Sequence, residues 1–354
     1  MTATLHEPAG AHRSILVRCL QWLGLGLVWL VVLGLVGWAA AALAIDLPVP
    51  VLRLPVAIAF GAVVLAVIIF VRGMGRKLMA CLVGFAAVLA WWLTISPSND
   101  RAWQQDVTQT PWAEIDGDRI TIHNVRNFDY RAEFDYTPRW EERSYDLSQI
   151  RGADIFLTYW GSPWIAHPIV SFQFGDGDHI AFSIETRKEM GEEYSASKGF
   201  FRQYELVYIV ADERDVIRLR TNYRAGEEVY LYRTAATPEA ARSIFLDYLR
   251  SANELHETPV FYNALTSNCT TNIRIHTKVA AGNRFAPWDW RLLLNGKSDE
   301  FAYEYGRFIS GDLPFPALKQ QAHINQAGRE ADQAADFSAR IRQDRAGFTS
   351  AAVQ

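Results

Sequence analysis

The chain has 354 residues, half of them hydrophobic, and a formal net charge of −4. Residues 1–98 hold six of its 35 basic and two of its 39 acidic residues, which leaves 29 basic and 37 acidic residues after position 98. The resulting net charge of −8 in this later part argues against nucleic acid as a partner. The length suits one sizeable domain with a membrane anchor.

Three apolar runs dominate the first third of the chain. They cover residues 20–44, 54–71 and 78–95. Each is long enough to cross a bilayer core of roughly 30 Å, so residues 1–96 are predicted to form a membrane domain with three transmembrane helices. The first run is long for a signal peptide, but the small residues Ala39, Ala40 and Ala41 leave its cleavage open.

Basic residues near the runs predict their orientation. The first run is preceded by Arg13 and Arg18, and the second and third runs are separated by Arg72, Arg76 and Lys77. The positive-inside rule puts them in the cytoplasm, so residues from about Ser96 onward are predicted to lie outside.

The remaining sequence predicts an α+β fold, with an antiparallel sheet packed by helices over residues 97–326. The predicted strands are 119–125, 129–136, 154–160, 169–174, 179–186, 206–210, 216–219 and 228–231. The charged stretch 139–144 is predicted to be a loop. Thr237-Pro238 predicts the start of a helix that runs to about Leu255, and a second helix begins near Cys269. Residues 327–354 are predicted to form an exposed helix or a disordered tail.

The clearest hairpin surrounds the turn Gly175–Asp178. Opposed residues in it should have numbers that sum to about 353, give or take one. A sum of 352 puts His167 opposite Glu185 on one face of the sheet, because side chains alternate with period two. A carboxylate beside an imidazole raises its basicity and fixes its tautomer.

Cys269 is the only cysteine outside the apolar third, where Cys19 and Cys81 lie. A single exported cysteine cannot form an internal disulfide. Its place near a helix start favours the reactive thiolate. The alternative is that Cys269 is a small buried residue without chemistry.

These residues suggest a catalytic set in which Cys269 is the nucleophile, His167 the general base and Glu185 the group that orients the base. The reaction would be acyl transfer or hydrolysis through a thioester, with backbone N–H groups at the helix start stabilising the oxyanion. Alternatives remain open: His167 is a structural histidine, or His179 or His276 is the base. No motif predicts a metal or another cofactor.

Aromatic and polar neighbours form the predicted substrate-binding set. Trp160 and Trp164 lie just before His167 and suit the wall of a groove for an acyl chain. Ser183 and Arg187 share the face of Glu185, and Asn268 directly precedes the thiol.

Four motifs together resemble the Lnb N-terminal periplasmic domain family over about residues 97–280. They are Pro97-Ser98-Asn99-Asp100-Arg101-x-Trp103, Asn124-Val125-Arg126-Asn127-Phe128-x-Tyr130, His167-x-x-x-Ser171-Phe172 with Ser183-x-Glu185-x-Arg187, and Asn268-Cys269-Thr270-Thr271-Asn272. The resemblance implies a thiol-dependent fold similar to the permuted papain-like (NlpC-type) group, in which the histidine strand precedes the cysteine helix. Lecithin-retinol acyltransferase relatives share that order.

The named member of this family is a bacterial lipoprotein N-acyltransferase, which moves an acyl chain to the N-terminal cysteine amine of lipoproteins. The resemblance therefore implies a multi-pass protein of the bacterial inner membrane that acts on the phospholipid bilayer and on lipoproteins. Cys269 would hold the acyl group and His167 would act as base. This chain departs from the family pattern because its three spans precede the domain, which puts the substrate in doubt.

Two other functions remain open at this point. One is a periplasmic cysteine peptidase or amidase that acts on cell-wall peptides, which the papain-like resemblance also fits. The other is a non-catalytic membrane module in which Cys269 is structural.

Overall fold

The computed structural model of the protein describes residues 9–175, 177–281, 289–292 and 294–348. The chain divides into two compact units. One contains the residues up to Ser96 together with Phe201–Gln203, and the other contains the remaining residues from Pro97 onward.

The first unit consists of three long helices, α1 (Ala9–Asp46), α2 (Pro50–Phe70) and α3 (Met74–Leu93). All three are long and apolar enough to cross a membrane. The first predicted run lies wholly within α1, whereas the second extends one residue past α2 and the third two residues past α3. Small side chains such as Ala39 and Ala42 are fully buried in this unit, which allows close helix packing.

The second unit is built on an eight-stranded sheet in the order β1-β2-β9-β8-β7-β6-β10, with β5 also paired to β2. Its strands are β1 (Trp112–Asp116), β2 (Arg119–Arg126), β5 (Trp140–Asp146), β6 (Ile150–Trp160), β7 (Ala166–Phe174), β8 (Asp178–Arg187), β9 (Glu205–Ala211) and β10 (Glu227–Arg233). A separate hairpin is formed by β3 (Asp129–Ala132) and β4 (Asp135–Thr137). Neighbours in the large sheet are antiparallel except β2 and β9, so the predicted α+β class is confirmed.

Helices cover the sheet. They are α4 (Glu213–Arg218), α5 (Pro238–Glu257), α6 (Cys269–Ala281), α7 (Ser298–Glu304), α8 (Phe315–Ala322), α9 (Asn325–Glu330) and α10 (Phe337–Arg340). The predicted start of α5 is confirmed, because the Thr237 side chain caps the helix by accepting a hydrogen bond from Ala240 N at 3.3 Å. A single π-turn, Leu219–Tyr223, follows α4.

Three of the predicted elements are wrong. Residues 129–136, expected to be one strand, form the hairpin of β3 and β4. Residues 139–144, expected to be a loop, contribute to β5, whose charged side chains are exposed or only partly buried. Residues 216–219, expected to be a strand, belong to α4 and the π-turn. Asp212 caps α4 by accepting from Arg214 N at 2.8 Å, and acidic residues in the first turn favour the helix.

Aromatic side chains of α5 pack on one face of the sheet. The Phe245 ring lies 5.1 Å from Phe172 and 5.6 Å from Phe182, between ring centroids and in edge-to-face geometry. The opposite face is covered in part by the C-terminal segment, in which Phe337 and Ile341 are fully buried. The described part of this segment, up to residue 348, therefore differs from the exposed helix or disordered tail expected from its polar composition.

The hairpin of β7 and β8 has the register expected from the sequence. Its pairs run from Ile169–Ser183 to Phe174–Asp178, each with numbers that sum to 352. Gly175 and Gly177 have φ angles of +50° and +141°, which other residues rarely adopt, so this turn requires glycine. Asp176, part of the predicted turn, lies outside the described residues.

Candidate active site

A cleft of about 950 Å³ opens in the second unit between the start of α6, the ends of β7 and β8, and the π-turn. His167, Glu185 and Cys269 all line it. The three residues proposed from the sequence for the chemistry therefore meet in one cavity.

Cys269 is the first residue of α6, and its side chain is partly exposed. The helix start is held by a reciprocal cap. Asn268 Oδ1 accepts from Thr271 N at 3.0 Å, and Thr271 Oγ1 accepts from Asn268 N at 2.9 Å. The side-chain nitrogen Nδ2 of Asn268 donates to Ala264 O at 2.7 Å. Asn268 thus fixes the helix start that carries the thiol, whereas the sequence suggested that it binds substrate.

His167 lies at the start of β7 and is 8% exposed. Its Nε2 is 2.7 Å from Ser183 Oγ and 3.1 Å from Glu185 Oε1, and Ser183 Oγ donates to the same carboxylate oxygen at 2.7 Å. Cys269 lines the same cleft, and its interaction with the ring raises the pKa of His167.

The charge state of His167 follows from these contacts. Burial lowers its pKa, but the negative charge of Glu185 and the interactions with Cys269 and Glu185 outweigh burial and raise the pKa to about 9. The pKa of Glu185 is held well below its usual value, because the charges of His167 and Arg220 outweigh the effect of burial. At neutral pH the two side chains therefore form an imidazolium–carboxylate pair.

Arg220 and Glu227 extend this pair, and the sequence reasoning missed both. Arg220 Nη2 lies 2.8 Å from Glu185 Oε1, and Arg220 Nη1 lies 3.2 Å from Glu227 Oε2. Arg220 is 5% exposed and belongs to the π-turn, a geometry that is frequent at functional sites. The nearby sequence signals a helix start at Asp212. It carries no signal for the contact between Arg220 and Glu185, which depends on tertiary structure.

The remaining residues of the predicted binding set have different surroundings. Trp160 lines the cleft and is 38% exposed. Trp164 is also well exposed, and its ring lies 6.5 Å from that of Trp290. The Ser183 side chain is buried in the link between His167 and Glu185.

The Arg187 side chain is hydrogen-bonded to the segment that precedes β1. It donates to Val107 O, Thr108 O and Asn99 Oδ1 at 2.6–2.9 Å, and its guanidinium lies 4.3 Å from the centre of the Trp103 ring. Burial lowers its pKa to about 10. These contacts indicate a structural role for Arg187, which does not line the cleft.

The two rival histidines lie in other surroundings. His276 is buried, with Nε2 2.7 Å from Tyr208 Oη and Nδ1 2.7 Å from Asp247 Oδ2. His179 Nδ1 lies 2.8 Å from Gly177 O, beside the turn of the hairpin. Burial lowers the pKa of both. Of the three candidate bases, His167 is the one in the cleft.

Exposed apolar side chains surround the catalytic candidates. Trp160, Ile165, Leu265 and Ile275 line the cleft with exposed fractions of 38–57%. Apolar surface of this kind at a cleft marks a binding region for an apolar ligand or a membrane. Within the described ranges, no group of three or more His, Cys, Asp or Glu side chains is placed to hold a metal ion.

The three apolar helices and the separate α+β unit are features of a membrane-anchored protein. The model of the Lnb N-terminal periplasmic domain family matches residues 136–296, in agreement with the resemblance found in the sequence motifs. The match includes His167, Glu185 and Cys269. The helices and the family together support a membrane-anchored protein with a periplasmic domain. Searches of curated proteins and of solved structures gave no match.

Proposed function

We propose that the protein is a membrane-anchored periplasmic cysteine acyltransferase that works through a thioester on Cys269. The observation that carries the proposal is a row of four interacting side chains at the cleft. Cys269 lies in the cleft with His167 and raises its pKa, His167 is held by Glu185, and Glu185 is held by Arg220. An oriented base beside a thiol at a helix start is the arrangement that nucleophilic catalysis requires.

The first half of the reaction forms the acyl-enzyme. His167 holds the proton as an imidazolium, and the Cys269 thiolate beside it attacks the ester carbonyl of a phospholipid. Backbone N–H groups in the first turn of α6 stabilise the oxyanion that forms. When this intermediate collapses, the ester C–O bond breaks, His167 gives its proton to the departing alcohol oxygen, and a thioester remains on Cys269.

The second half returns the enzyme to its first state. The N-terminal amine of a lipoprotein attacks the thioester, and His167 takes a proton from it. The C–S bond then breaks, an amide forms, and Cys269 leaves as a thiolate beside the protonated His167, which restores the starting pair.

Two observations support an acyl chain as the transferred group. The apolar side chains that line the cleft offer a surface for hydrocarbon. The three helices long enough to span a membrane would keep the protein at the bilayer, where phospholipid is abundant. The lipoprotein acceptor is proposed from the family alone.

The test uses the full chain in detergent micelles, with a phospholipid labelled in its acyl chain and a lipopeptide that has a free N-terminal amine. Cys269→Ala and His167→Ala should each lower transfer by at least about a thousandfold, because residues that act as one catalytic unit cannot replace each other. Cys19→Ala and Cys81→Ala are the matched controls and should retain transfer.

The same preparation is also incubated with cell-wall peptides. Full transfer by the Cys269→Ala variant would contradict the proposal. Cleavage of the peptides without capture of the labelled acyl chain would instead favour a cysteine peptidase.

A further inference from the structure

Asn295 joins the two elements that carry the candidate base and nucleophile. Its Oδ1 accepts from Ala166 N at 2.9 Å, and its Nδ2 donates to Ala166 O at 2.6 Å. Nδ2 also donates to Thr270 Oγ1 at 2.6 Å. Ala166 precedes His167 and Thr270 follows Cys269, so one amide group connects the neighbours of both catalytic candidates.

These contacts use both N–H groups of the Asn295 amide and one acceptor site of its oxygen. The side chain therefore has no donor left for a substrate. Any influence of Asn295 on the chemistry must act through β7 and α6.

Asn253 offers an internal comparison. Its Oδ1 accepts from Ala113 N at 2.7 Å, and its Nδ2 donates to Ala113 O at 2.8 Å. Asn253 thus makes the same pair of hydrogen bonds to the backbone of one strand residue. That residue lies on β1, away from the cleft. The third hydrogen bond, to the first turn of α6, distinguishes Asn295.

The residue after Asn295 holds the bridge in place. Gly296 N donates to Trp164 O at 2.9 Å, and a Cβ atom at Gly296 would lie only 2.4–2.6 Å from backbone atoms of residues 163–165. Only glycine permits this close approach. The backbone that carries Asn295 is therefore packed tightly against the segment leading to His167.

We propose that Asn295 is a positioning residue that sets the separation between the His167 imidazole and the Cys269 thiol. The two groups lie on different elements, and a catalytic pair tolerates only small displacements: a misplacement of about 1 Å can lower a rate by about a hundredfold. The Asn295–Thr270 hydrogen bond ties β7 to α6 at this point. The inference rests on the proposed function, since it requires an activated thiol.

The test measures the rate of Cys269 alkylation by iodoacetamide as a function of pH, with the full chain in detergent and the Cys269 peptide quantified by mass spectrometry. A free thiol titrates near about pH 8.5, whereas a thiol paired with an imidazolium reacts well at about pH 6. Asn295→Ala should slow alkylation at that pH by about tenfold and shift the profile toward that of a free thiol. Asn253→Ala, the matched control, should retain the native profile.

A second pair of variants tests the third hydrogen bond through its acceptor, which also lies 4.0 Å from Cys269 Sγ, and serves as the test if Asn295→Ala does not fold. Thr270→Val removes the acceptor and should act like Asn295→Ala, whereas Thr270→Ser keeps the hydroxyl and should retain the native profile. A native profile in both Asn295→Ala and Thr270→Val, or in Thr270→Val alone if Asn295→Ala does not fold, would overturn the role of Asn295 but not the proposed function. If the unaltered protein already reacts like a free thiol, both proposals are overturned.

Discussion

At the residue scale, the protonation of His167 is set by side chains from three parts of the fold. Glu185 on β8 and Cys269 on α6 raise its pKa, while Arg220 in the π-turn and burial lower it. Because the folded-state pKa is about 9, above the ordinary value of about 6.5, protonation of His167 stabilises the folded protein. This contribution is complete below about pH 6.5 and is lost as the pH rises through about 9.

Replacing the carboxylate tests this balance without an activity assay. In Glu185→Gln, burial and Arg220 still lower the pKa of His167 and the opposing negative charge is gone, so the pKa should fall well below about 9. The titration is followed by NMR of protein labelled at histidine. Glu227→Gln, one step further along the chain of charges, should change it much less, and an unchanged His167 titration in Glu185→Gln would refute the assignment.

At the element scale, the sequence predicts those parts of the site that depend on local periodicity. Alternation in β7 and β8 and the two turn glycines predict the register that puts His167 opposite Glu185. The cap at Thr237 predicts the start of α5 in the same way.

Other elements required information that local patterns do not carry. In α4, the apolar pair Val216-Ile217 suggests a strand, but the cap at Asp212 outweighs it. Arg220 reaches Glu185 only because a π-turn follows that helix. Asn295 begins a short 3₁₀ helix, Asn295–Lys297, and its bridge depends on the approach of residues distant in sequence.

At the scale of the whole molecule, the C-terminal segment completes a buried cluster of charges in the periplasmic unit. Arg342 donates to Asp154 at 2.9 Å and makes two hydrogen bonds to Glu213 at 2.6 and 2.7 Å. Both carboxylates are fully buried. Although burial raises the pKa of Glu213, the charge of Arg342 lowers it to about 2. A segment that looks like a polar tail is thus part of the core.

Arg342→Met should lower the free energy of unfolding by about 3–5 kcal/mol, because it leaves the buried Glu213 without its arginine and leaves Asp154 with Arg233 alone. Arg340→Met is the matched control. The side chain of Arg340 is 52% exposed and pairs with Asp336 at 2.8 Å on the surface, so its loss should cost less than about 1 kcal/mol. Denaturant unfolding of the full chain, followed by tryptophan fluorescence, measures the free energy of unfolding of both variants. Equal effects would show that Arg342 in the buried cluster contributes no more to stability than a surface arginine.

The central claim is that Cys269 carries an acyl group during turnover. Mass spectrometry of the full chain after incubation with phospholipid vesicles tests it most directly. The account predicts an added mass equal to one acyl chain on the Cys269 peptide, removed by hydroxylamine as expected for a thioester and absent from His167→Ala. An unmodified Cys269 peptide from protein that transfers acyl chains to the lipopeptide would contradict the account.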